Sequence, residues 1–252
     1  ILISGIPSFS LKNLDEKTRK EIAYIAAKYS VQKFPELFFI FAKEIYGSIW
    51  YVKLMGEAIY LSNKIGKPWM SYYMEGLKAI ENLPSSHKGL GYIFLANYAY
   101  YADKERAKAL LMKAVEFIDE ALEGIIGGII LHSIRLAKKL EMKPIIDELI
   151  KKISYSPQLT LFEKVDLLAE IVENFGDDSL SIKALKLAIT FASKISNDEL
   201  FKMAVVIIYN AAKKIDDIHE LKEIAKGRRG LLKKALDDVI NLKLRQSSNL
   251  WT

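Results

Sequence analysis

Residues 184–217 read ALKLAITFASKISNDELFKMAVVIIYNAAKKIDD. Apolar side chains return every three or four positions on both sides of a polar break at residues 196–199, SNDE. That spacing belongs to two amphipathic helices and not to strands, which would alternate. The break itself carries a helix start, because Ser196 and Glu199 have the spacing of a capping box. The first helix closes at Ile195 and the second at Ile215, so the stretch predicts a helical hairpin joint.

The same two endings recur along the chain. Bulky apolar residues close one series of segments at Tyr29, Ile65, Tyr101, Leu140, Phe175 and Ile215, at intervals of 36, 36, 39, 35 and 40 residues. A second series closes at Ile45, Ile80, Ile118, Ile153 and Ile195. Each period therefore holds two helices. Pro35, Pro68, Pro84, Pro144 and Pro157 stand between periodic segments, where a fixed φ and a missing N–H are tolerated. Thr160 with Glu163 offers a second capping box. No alternating segment bounded by turn residues is found. The reading is all-α: a single repeat domain over residues 1–252, built as a right-handed superhelix of about six antiparallel hairpins with a period of about 37 residues. The hairpins fall near 14–45, 48–80, 86–118, 119–153, 160–195 and 197–226, and a closing helix spans 230–245.

The segment ERAKALLMKAVEFI, with Ala107, Leu111 and Ala114 at a small, bulky, small spacing, resembles the second helix of a tetratricopeptide repeat. Residues 184–217 resemble the alanine-rich pairs of tetratricopeptide-like and HEAT-like arrays. The resemblance names no subfamily. It implies a scaffold that binds a peptide or protein segment on a repeat surface, and it carries no catalytic residues.

Composition sets further bounds. The 252 residues are 51% hydrophobic, enough for a sizeable core and against disorder. Zero cysteines exclude disulfides, thiolate metal sites and a thiol nucleophile, and fit a reducing, cytoplasmic setting. The longest uncharged run, Gly89 to Ala102, is too short for a membrane helix, and ILISGIPSFSLKN lacks the pattern of a signal peptide. A soluble protein without a membrane partner is expected. Richness in Ile, Lys and Glu with few Gln leans toward a thermophilic source.

Chemistry is sparse. His87, His132 and His219 lie far apart in sequence without metal-ligand spacing, and neither a nucleophile elbow nor a phosphate loop is present. No catalytic residue, metal or cofactor is assigned. The paired acids 177–178 and 216–217 suit helix capping between hairpin arms, and 237–238 a solvated helix face. The glycines in EGIIGGIILHSIRLAKKLE, residues 123–141, read as a close-packed joint between the two halves of the array, in a helix opening near Asp119.

Two surfaces remain. Of 27 aromatic residues, 19 fall in the first 101 positions, and stiff aromatics with a polar handle suit binding faces. Tyr60, Asn63, Trp69, Asn97 and Tyr98 are the candidate partner-binding residues there. The net charge of +6 is concentrated nowhere more than in KGRRGLLKK, where Lys226, Arg228, Arg229, Lys233 and Lys234 are candidates for a polyanion. The leading expectation is a noncatalytic interaction scaffold for a peptide, protein segment or partner domain. The alternatives are nucleic-acid or nucleoprotein binding at the basic end, and an α-helical enzyme whose site leaves no signature.

Overall fold

A computed structural model describes residues 15–176 and 178–248. Among them are thirteen α-helices, packed largely against their neighbours in sequence. In chain order they are α1 (Glu16–Lys33), α2 (Pro35–Ala42), α3 (Ile49–Lys64), α4 (Met70–Glu81), α5 (Ser85–Ala99), α6 (Lys104–Glu116) and α7 (Glu123–Lys139). There follow α8 (Lys143–Tyr155), α9 (Leu161–Phe175), α10 (Ser179–Ala192), α11 (Asp198–Ala212), α12 (Ile218–Ala225) and α13 (Gly230–Ser248). The helices group into two compact units, one ending at Leu110 and the other beginning at Leu111.

In the first unit α3 is the central element. It packs against α1, α4 and α5, and buries Val52, Leu54, Met55, Ala58 and Ile59. Two glycines set how close its neighbours come. A Cβ on Gly56 would stand 2.5 Å from the Tyr98 ring of α5, and one on Gly76 of α4 would stand 2.8 Å from Leu95. Phe38 on α2 meets Tyr72 edge-on at 4.9 Å, so the aromatic density of this half is partly core filling.

In the second unit α9 packs against both α7 and α11, with α8 beside α7, α10 beside α9, and α13 beside both α11 and α12. Ion pairs join successive pairs at the repeat distance. Lys143 reaches Asp178 at 2.8 Å, Lys183 reaches Asp147 at 2.6 Å, and Lys186 reaches Glu220 at 2.8 Å, across separations of 35, 36 and 34 residues. Arg135 on α7 meets Glu170 on α9 at 2.7 Å, 35 residues away. Exposed pairs contribute only about 0–1 kcal/mol each, so they mark the register while the apolar stack holds it. Ile129, Ile130, Leu149, Leu168, Ile171, Leu185 and Ile208 lie fully buried in that stack.

Several local expectations change. Thr160 and Glu163 form the expected capping box, but the cap of α11 is Asn197, whose side chain accepts from the Leu200 N–H at 2.9 Å. Asp178 and Asp217 cap α10 and α12 as expected, whereas Asp177 lies outside the described residues. Ile118–Glu120 forms a separate 3-10 turn, so α7 opens at Glu123 and not near Asp119. Its glycines are not a close-packed joint: a Cβ on Gly124, Gly127 or Gly128 would meet nothing within 4 Å. The residues that bury α7 include Ile126, Ile129, Ile130 and Ile134.

Candidate functional site

The aromatic candidates on α3 and α5 converge, but on one another. Tyr60 packs edge-on against Tyr101 at 5.0 Å, and the Asn63 amide donates to the Tyr101 carbonyl at 2.8 Å. The Tyr98 hydroxyl donates to Glu57 at 3.3 Å. These contacts tie α3 to α5 and the turn after it, and they spend the Asn63 amide and the Tyr98 hydroxyl that a partner would read. Asn97 is turned to its own helix, donating to the Ile93 carbonyl, and Trp69 stands apart against Tyr73 at the start of α4.

Beneath them lies the one buried carboxylate among the described residues. Glu57 is 8% exposed, with Tyr98 on one oxygen and the Lys28 ammonium of α1 3.0 Å from the other. A buried charge requires such partners, since removing it from water without them costs several kcal/mol. Burial, reinforced by the Glu57 charge, pushes the Tyr98 phenol up to about 12. The buried Tyr24 hydroxyl on α1 is raised for the same two reasons.

Above this cluster α1 presents a groove of about 810 Å³ lined by Lys17, Lys20, Glu21, Tyr24 and Ile25 of α1 and by Ile45, Ser48 and Trp50. Trp50 meets Tyr24 edge-on at 6.3 Å, and the Lys53 ammonium stands 5.1 Å over the indole. Even so, Trp50 remains 57% exposed and Ile25 66%. Ile22, Tyr29, Phe34 and Tyr46 around them are exposed as well. The sequence marks Tyr29 only as a repeat landmark and places Trp50 among the aromatics of the N-terminal half without singling it out. A signal was present: α1 buries Ala23, Ala27, Ser30 and Val31, so Ile22, Ile25 and Tyr29 must lie on its other face.

The second unit holds a cleft of about 550 Å³ beside α8, lined by Asp119, Lys151, Lys152 and Tyr155 among others. Its lysines are engaged, Lys152 by Asp119 and Lys151 by Asp147 at 2.7 Å. His132 is exposed on α7; crowding by its surroundings, then the Arg135 charge, lowers its pKa. Among the described residues no three His, Asp or Glu side chains come together as a metal site would need.

The basic candidates flank the turn into α13. Gly227 and Gly230, at φ 77° and 60°, bracket Arg228 and the exposed Arg229. Lys226 lies 3.6 Å from Glu223 and Lys233 lies 3.8 Å from Asp237, while Arg228 donates to the Ile224 carbonyl at 3.4 Å. Lys234 is exposed. Acidic neighbours thus offset part of the positive field. No helix among the described residues is long and apolar enough to cross a membrane. No protein-family model, curated protein or solved structure matches this chain.

Proposed function

We propose that this chain is a noncatalytic interaction scaffold that binds a peptide, protein segment or partner domain on the apolar face of its first helical pair. In this reading its sequential helix pairs belong to a right-handed array of the tetratricopeptide-like or HEAT-like kind. The observation that carries it is the groove beside α1, where Trp50 and Ile25 are more than half exposed around a depression of about 810 Å³. Fully burying a large apolar side chain contributes roughly 1.5–3 kcal/mol, so two such anchors supply the core of an interface while Lys17, Lys20 and Glu21 form its polar rim.

The test is selection of peptides from a random library on the immobilised protein, in parallel with Ile25→Asp and Trp50→Ala. Enrichment on the wild type that both substitutions abolish supports the assignment. Enrichment indifferent to them, or none at all, refutes it. Substituting Arg228 and Arg229 by alanine leaves the enrichment unchanged if the α1 face is the site.

A further inference from the structure

The exposed face of α1 has a regular order that the groove does not require. Thr18, Ile22, Ile25, Tyr29 and Gln32 follow one another at four, three, four and three residues, the spacing of a coiled-coil seam. Ile25 and Tyr29 are 66% and 64% exposed, and Ile22 is 39% exposed. Glu21 and Lys28 flank the seam along one edge, and Lys33 lies on the other.

Those flanking charges choose both partner and direction. If a second α1 lies antiparallel, Ile22 of one copy meets Ile25 of the other, and each Glu21 falls beside a Lys28. A parallel arrangement would instead set Lys28 of one copy beside Lys33 of the other, a like-charge contact. Lys28 already touches Glu57, but its ammonium has three N–H donors and its side chain is 49% exposed, so it can serve a second carboxylate. A surface that is complementary to itself in this way is what a two-fold interface needs.

We propose that α1 pairs antiparallel with α1 of a second copy of this chain, with Ile22, Ile25 and Tyr29 as the seam. This rests on reading the α1 face as an interaction surface, and it names the occupant. Because Ile25 also lines the groove, self-pairing and peptide capture compete.

The test is the mass in solution over a concentration series, by light scattering and sedimentation. Wild type is expected to rise from 28.6 kDa toward twice that value. Ile22→Asp combined with Ile25→Asp holds it at the monomer. Should that variant fold poorly by circular dichroism, Glu21→Lys provides the second reading, weakening association roughly three- to tenfold by placing two lysines together.

Direction is read from a spin label at Lys33→Cys, a clean single site in a chain without cysteine. Antiparallel pairing puts the two labels about 30 Å apart, from a 1.5 Å rise per residue, and parallel pairing about 10 Å. A short distance, or a doubled mass that ignores both variants, overturns the proposal. Wild type that stays monomeric while peptides are still selected overturns the pairing alone. Wild type that is monomeric and selects no peptide removes the interaction surface too.

Discussion

Glycine→alanine substitutions in α3 and α7 should have opposite signs, although both positions lie within helices. Alanine is preferred over glycine in a helix interior by about 1 kcal/mol, and that gain is common to both. At Gly128 nothing opposes it, because the new Cβ enters open space. Gly128→Ala is therefore expected to stabilise by up to about 1 kcal/mol, and Gly127→Ala similarly. At Gly56 the new Cβ lies 2.5 Å from Cδ2 and 3.2 Å from Cγ of Tyr98, a rigid ring tied through its hydroxyl to Glu57.

Overpacking of this kind costs about 1–3 kcal/mol, and a ring displaced from a charged acceptor loses about 1.5–3 kcal/mol more. Set against the common gain, Gly56→Ala is expected to destabilise by roughly 1.5–5 kcal/mol. Urea unfolding followed by far-ultraviolet circular dichroism measures both, with near-ultraviolet signal reporting the tyrosine-rich first unit. A neutral or stabilising Gly56→Ala would refute the close approach of α3 and α5. Destabilisation by Gly128→Ala would refute the open face of α7.

Three further outcomes follow from the packing. The Ser133 hydroxyl on α7 is fully buried with no hydrogen-bond partner, so Ser133→Ala should stabilise by about 1 kcal/mol in the same urea assay. Ultraviolet titration should find the Tyr98 step at about 12, absent in Tyr98→Phe. Since its folded value is raised, its contribution is present below the unfolded value of about 10 and fades as pH rises from there to 12. Asp147 is held at about 2 by hydrogen bonds from Lys151 and Lys183. Its contribution is present above the unfolded value of about 4 and lost as pH falls from there to 2. Exposure limits it to under about 1 kcal/mol, and Asp147→Asn should remove it.

The helix pairs were legible in the sequence because a repeated core enforces a repeated apolar spacing. Thr160 with Glu163, Pro35 and Pro144 mark starts that local chemistry alone determines. What the period could not reveal is which side of each helix is covered. Leu140 and Ile215 are buried, whereas the corresponding Tyr29, Ile65 and Tyr101 are exposed, because the neighbours that cover the landmark in one unit are not matched in the other. The glycines of α7 misled for a related reason: glycine permits close approach but does not require it. Asn63 and Tyr98 spend their polar groups within the fold, on the Tyr101 carbonyl and on Glu57, while Tyr60 packs its ring against Tyr101. The groove at Trp50 arises from residues distant in sequence, and only the fold brings Tyr24 beside it.

Amide hydrogen exchange with and without a peptide selected on the wild-type protein tests the interaction face most directly. New protection is expected within residues 16–50, centred on Ile25 and Trp50, and none in α11 or α12. Protection confined to those later helices, or to the turn holding Arg228 and Arg229, would contradict it.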